Sequence, residues 1–386
     1  MTIYFDHAAT SWPKPPGVRE SIARYFDEAG GNPGRSGHRM SIAAAQAVED
    51  ARDLLAELLA TPDPSRISFT KNATEALNIA IYGSLRPGDH AVTTSIEHNS
   101  VMRPLRHLES LGLELTVVPT ATDGTLEASR IAVAIRPETR LVSTVHGSNV
   151  MGSLLPVDEI ARICRDRGVP YLVDASQTAG AVPIDVEALG VDLLAFTGHK
   201  ALLGMTGTGG LYVRPGLAID PLLRGGTGSR SDEEIQPDFM PDALESGTLN
   251  VAGIVGLGAG VRHLLETGVY EIEAHERELT ARFVDGAGGI PGVTVYAPAD
   301  AKQRCAVVSF NVDVLSPSEV GTILDRDFGI MSRVGLHCSP GAHRTIGTFP
   351  TGTVRFGFGL SNTLAEVDTA LDAIAEIAAW SAAPHA

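Results

Sequence analysis

Between residues 66 and 198 the chain alternates short apolar runs with stretches of helical periodicity. RISFT (66–70), HAVTTS (90–95), LELTVVP (113–119), RLVSTVH (140–146), PYLVDAS (170–176) and DLLAFTG (192–198) read as strands. NATEALNIAIYGSL (72–85), SVMRPLRHLESLG (100–112) and PVDEIARICRDRG (156–168) carry apolar residues at helical spacing between them. Strands alternating with helices give a mostly parallel sheet with helices on both faces. In such sheets functional groups gather at the carboxyl ends of the strands.

At 386 residues and 44% hydrophobic content, the chain suffices for two domains. The stretch 250–287 reads as helical, broken near Gly268, and bridges them. Beyond it, VTVYAP (293–298), AVVSFNV (306–312) and TVRFGFG (353–359) are strands, while 316–329 and 363–380 are helices. The expected organisation is an N-terminal arm (1–16) packing with the small domain, a large domain (17–252) and a small α+β domain (253–386). Gly256-x-Gly258-x-Gly260 has the look of a dinucleotide fingerprint, but no strand precedes it. The motif needs a strand-to-helix turn, so these glycines read as a packing face.

The formal net charge of −16 disfavours nucleic acid and anionic membrane as partners. No run of eighteen apolar residues occurs, and MTIYFDHAAT lacks the basic and apolar regions of a secretory signal. Cys164, Cys305 and Cys338 lie far apart, without a C-x-x-C pair. The expectation is a cytoplasmic protein with neither disulfide framework nor zinc ribbon.

Several strand ends carry polar residues. RISFT runs into KNATE, placing Ala73 and Thr74 at a helix start, where free N–H groups favour an anion. Alone, Thr74 reads equally well as an ordinary cap. Later strand ends supply His98, Asn149, Asp174 with Gln177, and Thr197, His199 and Lys200 in FTGHK. Asp174 follows YLV on a strand buried on both faces, and a buried carboxylate needs a cationic partner. A direct salt bridge to Lys200 would satisfy it. So would pyridoxal 5'-phosphate, which needs a lysine for its aldehyde, a carboxylate for its ring nitrogen and a helix start for its phosphate.

The stretches FDHAATSWPKP, NATEALN, EHNSVMRPL, SNVMGS, VDASQTAG, FTGHK, ESGTLN and RVGLHCSPGAH resemble the cysteine desulfurases of aminotransferase class V, fold-type I pyridoxal-phosphate enzymes. The resemblance runs nearly end to end. It implies that Lys200 anchors the cofactor, His98 stacks on its ring, Asp174 pairs with the ring nitrogen and Gln177 contacts the ring oxygen. Thr74, Thr197 and His199 hold the phosphate with the Ala73 backbone. Thr248 reaches the phosphate of the other subunit, which implies a homodimer. Asn149 lies near the substrate. Gly204, Gly207, Gly209 and Gly210 are expected to let the backbone turn tightly beside the cofactor.

Cys338 lies in a polar loop with Arg333, His337, His343 and Arg344 near in sequence. A cationic setting favours the thiolate, although a buried structural thiol fits the residues as well. His337, Cys338 and His343 supply three ligands and no second cluster, so no metal site is expected. Cys164 and Cys305 read as inert small hydrophobes. R-V-G-L-H-C-S (Arg333 to Ser339) is similar to the cysteine loop of the group II desulfurases, with serine where alanine is usual. Arg355 matches the arginine that pairs with the substrate carboxylate, a task suited to guanidinium geometry; on residue type alone it could be a surface residue of an edge strand. Arg333, Arg355 and Asn149 form the candidate substrate set, and Lys200, Cys338 and His98 the catalytic one.

The implied activity converts L-cysteine to L-alanine and leaves the sulfur on Cys338 as a persulfide. A sulfur-acceptor protein or a thiol reductant would clear it. Alternatives are a lyase acting on L-selenocysteine, an aminotransferase or racemase of the same fold, and a cofactor-binding regulatory protein.

Overall fold

The computed structural model describes residues 2–33 and 37–382. Met1 and residues 383–386, which fall within the terminal spans given above, lie outside the described residues, as do residues 34–36. The chain opens with β1 (Ile3–Tyr4), α1 (Pro16–Glu28) and α2 (Arg39–Leu58). Then come β2 (Ile67–Thr70), α3 (Ala73–Ser84), β3 (His90–Thr94), α4 (Asn99–Ser110), β4 (Glu114–Val118), α5 (Ala128–Ala134) and β5 (Thr139–Val145). α6 (Val157–Arg167), β6 (Tyr171–Asp174), α7 (Val186–Leu189), β7 (Leu193–Thr197) and β8 (Gly209–Val213) follow. The second half holds α8 (Val251–Thr267), α9 (Val269–Gly288), β9 (Val293–Tyr296), β10 (Val307–Val312), α10 (Pro317–Phe328), β11 (Ile330–Met331), β12 (Arg333–Gly335), α11 (Pro340–Thr345), β13 (Thr353–Gly357) and α12 (Leu364–Ala382).

Among the described residues, seven strands form one sheet in the order β2-β8-β7-β6-β5-β3-β4. All pairings are parallel except those of β8, which runs antiparallel to both β2 and β7. The sheet is thus mostly parallel, as the strand–helix alternation predicts. β3, β6, β7 and β8 are buried along their whole length, which is why their sequences are apolar runs without alternation. A second sheet, β12-β13-β10-β9, is antiparallel and packs under α9, α10 and α12.

The two sheets have separate cores. α8 contributes Ile254, Leu257, Val261 and Leu264 to the first, while Leu279 and Phe283 of α9 belong to the second. The arm belongs to the second as well: Ile3 and Phe5 are in its core, and β1 pairs with β11. α8 ends at Gly268, whose φ of +91° suits glycine and starts α9 in a new direction. The glycines of α8 do form a packing face: a Cβ on Gly256 would lie 2.8 Å from Ile22, and one on Gly258 3.0 Å from Ala51. Among the described residues no helix is long and apolar enough to cross a membrane.

Candidate active site

β2 turns directly into α3, and Asn72 caps the helix by accepting from the Glu75 N–H at 3.0 Å. Thr74 is therefore not the cap; its hydroxyl hydrogen-bonds Ser100 Oγ at 2.7 Å. The first turn of α3 leaves early N–H groups without intrahelical acceptors. β8 lies close against this turn: a Cβ on Gly209 would sit 2.7 Å from Asn72 C and 2.7 Å from Phe196 O. Of the four glycines after Lys200, Gly207 alone has a positive φ, +79°. Gly204, Gly209 and Gly210 are required by close approach instead of by a turn.

Among the described residues, Thr197 Oγ1, at the end of β7, and His199 Nδ1 are both buried without a hydrogen-bond partner. Burial, with Lys200 and Lys14 nearby, pushes His199 down to about 4 and keeps it neutral. These groups and the α3 start face one cavity of about 600 Å³, which also exposes His98, Asn149, Asp174, Gln177 and Lys200. Buried donors are rarely left unpaired. A hydroxyl, an imidazole and a helix start meeting at one wall suit a phosphate.

The remaining lining residues suit a pyridine ring and its aldehyde. Asp174 ends β6, where its Oδ1 accepts from the Ser176 N–H at 3.0 Å. Lys200 lies three residues beyond β7 and, among the described residues, makes no ion pair. The direct Asp174–Lys200 bridge does not form, so both groups remain available. Burial lowers Lys200 to about 8; Asp174 opposes that shift, while Arg355 and Arg333 add to it. His98 caps α4, its Nδ1 accepting from the Ser100 N–H at 3.1 Å, so the proton of the neutral ring lies on Nε2. Burial holds His98 down at about 4 despite Asp174.

Sequence reasoning missed the supports of this set. Glu97 is fully buried; it accepts from Thr94 Oγ1 and from the Val145 N–H, and burial pushes its carboxyl up to about 8. The arm clamps the lysine turn. Ser11 Oγ donates to Lys200 O at 2.8 Å, and Lys14 Nζ donates to His199 O at 2.8 Å and to Ser11 Oγ at 2.7 Å. Gln177 Nε2 donates to Ala8 O at 3.1 Å. Only the polar runs in FDHAATSWPKP hinted at this, because the contacts span more than 160 positions.

The second sheet and the turn after β12 supply Arg355 and Cys338. Arg355 is 2% exposed on β13, an interior strand, so it is no edge residue. Its Nη2 pairs with Asp6 at 3.0 Å and its Nη1 donates to Asn149 O at 3.0 Å, while Nε is buried without a partner among the described residues. Cys338 is exposed on the turn between β12 and α11. His337 and Cys338 both have left-handed backbones, φ +47° and +60°. Asn149 braces this turn from both amide ends: Nδ2 donates to His337 O at 2.6 Å, and Oδ1 accepts from Ser339 Oγ at 2.8 Å. The serine at 339 therefore makes a buried hydrogen bond that alanine cannot. Asn99 N–H donates to Cys338 O at 2.8 Å, tying the turn to α4.

The cationic setting expected around Cys338 is thinner than the sequence suggests. Burial pushes His337 well below the usual range and His343 to about 4, so both are neutral. Arg344 stacks on Phe349 at 4.4 Å. Cys164 and Cys305 are buried, and burial pushes both thiols up to about 12. Besides Arg355 and Cys338, two more residues of the expected set do not line the cavity. Arg333 is exposed on β12, and Thr248 is exposed beside Lys71 and Asn250.

A mostly parallel sheet with a lysine just past a central strand, a carboxylate ending the next strand and a small α+β unit in front is the architecture of fold-type I pyridoxal-phosphate enzymes. The model of the family described as Aminotransferase class-V matches residues 3–370. A probable cysteine desulfurase of Methanothermobacter thermautotrophicus is 36% identical over 383 residues, covering 97% of this chain and 94% of that protein. The apo structure of a cysteine desulfurase from Thermococcus onnurineus NA1 superposes with a TM-score of 0.91 at 36% identity, over 98% of this chain and 95% of that one. The cysteine desulfurase CsdA of Escherichia coli gives a TM-score of 0.87 at 28% identity, over 98% and 95%. The chain belongs to the aminotransferase class-V family, on the branch whose members carry the name cysteine desulfurase.

Proposed function

We propose that this protein is a cytoplasmic, pyridoxal-phosphate-dependent cysteine desulfurase that works as a homodimer. The observation that carries the reading is the unpartnered Thr197 hydroxyl and His199 imidazole beside the α3 start, in one cavity with Asp174, His98 and Lys200. Thr74, Thr197, His199 and the Ala73 N–H would hold the phosphate, joined by Thr248 of a second copy. Asp174 would face the ring nitrogen, His98 the ring, and the second Gln177 N–H the ring oxygen. Lys200 would bind the aldehyde. Bound there, the cofactor supplies an electron sink for the substrate's α-carbon.

The chain's own residues do the rest. Burial lowers Lys200 to about 8, so a minor fraction of Nζ is neutral at pH 7 and can take the α-proton. His98 offers its Nε2–H while Nδ1 is tied to Ser100, so it can pass a proton at one nitrogen only. Arg355 Nε is free for the substrate carboxylate, with Asn149 O and Asp6 fixing the guanidinium plane. Cys338 thiolate attacks the substrate sulfur, the carbon–sulfur bond breaks, and the carbon keeps the electron pair and gains a proton. L-Cysteine and the thiol become L-alanine and a Cys338 persulfide. Arg333, exposed beside this turn, would steer the anionic substrate inward. A sulfur-acceptor protein would collect the sulfur, and the exposure of Cys338 supports that step.

The purified protein should show a visible absorption band reducible by borohydride and release equal amounts of alanine and sulfide from L-cysteine with a thiol reductant. A colourless protein that takes up no pyridoxal phosphate would refute the proposal.

A further inference from the structure

Behind Lys200 lies a second cavity, about 980 Å³ of empty space between the arm, α8, α9 and the small sheet. It shares one wall with the candidate active site, Lys200 and Gln177. Its other walls are mostly apolar: Pro13, Pro15, Leu264, Ile272, Phe358 and Leu360. His7, Ser11, Lys14 and His263 interrupt them, and so does one acid. Glu276 of α9 is 7% exposed, and among the described residues its carboxyl has no hydrogen bond and no ion pair. Thr280 Oγ1 reaches only its main-chain oxygen. Lys14 lines the same cavity, but its ammonium is taken by Ser11 Oγ and His199 O.

An unpaired buried carboxyl is costly to keep. Burial alone pushes it up to about 8, so in the free protein it stays largely protonated. Nothing in the proposed chemistry uses it. A cation would restore its charge and find apolar surface around it.

We propose that this cavity is a second small-molecule site that takes an organic ammonium with an apolar body, its charge held by the Glu276 carboxylate. The inference does not depend on which reaction the neighbouring site performs. The test is calorimetric titration of the holoprotein with N,N-dimethylcyclohexylammonium, a tertiary amine that cannot condense with an aldehyde. Cyclohexylmethanol serves as the neutral comparison. The wild type should bind the ammonium and bind the alcohol at least about tenfold more weakly, as expected when a charge-assisted contact is missing. Glu276→Gln should lose about tenfold or more in ammonium affinity and leave the alcohol unchanged. Ala181→Leu, which puts a larger side chain into the cavity, should weaken both. Without ligand, Glu276→Gln should melt no lower than the wild type, because no partner is lost. Equal ammonium binding by wild type and Glu276→Gln, equal binding of ammonium and alcohol, no binding at millimolar ammonium, or a destabilised Glu276→Gln would each overturn the proposal.

Discussion

Lys200 leaves a five-residue strand that is buried throughout, whereas Cys338 stands exposed on a turn between a three-residue strand and a six-residue helix. The lysine turn is fixed twice, by the sheet behind it and by the arm donors Ser11 and Lys14 in front. The cysteine turn hangs on Asn149, Ser339 and Asn99, and holds two residues in a conformation that costs non-glycine side chains energy. One half of the site is a consequence of the core. The other is a thin attachment to it, held by side-chain amides. The difference suits the two tasks proposed for them: a cofactor anchor must not move, whereas a thiol that hands on sulfur must be reached from outside.

This contrast can be broken at several points. The largest effect should come from Lys200→Ala, which should lower alanine formation at least about 1,000-fold and remove the borohydride-reducible band. Turnover near wild type would end the assignment of the anchor. Cys338→Ala should lose about 100-fold in alanine formation from L-cysteine yet keep the band, because the two halves are separately supported. Cys164→Ala and Cys305→Ala should leave turnover near wild type, and a loss at either comparable to that at Cys338 would count against the exposed thiol. Ser339→Ala removes one buried hydrogen bond from the turn, worth about 0.5–1.5 kcal/mol. It should slow sulfur transfer by roughly two- to tenfold, a span that follows from that energy, with an unchanged absorption spectrum. A changed spectrum would show that the turn and the cofactor pocket are one unit.

The smallest effect is on stability. In the cofactor-free protein burial lowers Lys200 to about 8. In the unfolded chain a lysine keeps its proton to about 10.4. Between those values the unfolded state binds more protons, so stability rises with pH through that window, and below it the whole cost of burying the ammonium is felt. Lys200→Met should therefore raise the apoprotein's melting temperature at pH 7 by about 1–2 °C per kcal/mol relieved. The gain should fade above about pH 10. A gain independent of pH would point to packing instead of charge.

The same contrast explains what could be read from the chain. Asp174, Thr197 and Lys200 were legible because each follows an apolar strand, and a polar residue at the end of a buried run has few reasons to be there. β8 was not separated from the glycines before it, since GGLYV carries no helix ahead of it to signal a crossover. The supports were invisible for a different reason. Ser11, Lys14 and Asp6 act on residues more than 180 positions away, and no periodicity records such pairs. Near Cys338 the residue types misled: His337 and His343 look cationic in a list of letters, but burial makes them neutral. Thr248 is exposed and lies outside the lining of the cavity in its own chain.

In the proposed reaction sulfur leaves L-cysteine for Cys338. The most direct measurement is the intact mass of the protein after a single exposure to L-cysteine without reductant, followed by peptide mapping under non-reducing conditions. The account predicts a gain of one sulfur atom, located on the peptide containing Cys338, removed by a thiol reductant and absent in Cys338→Ala. A protein that forms alanine while Cys338 stays an unmodified thiol would contradict it.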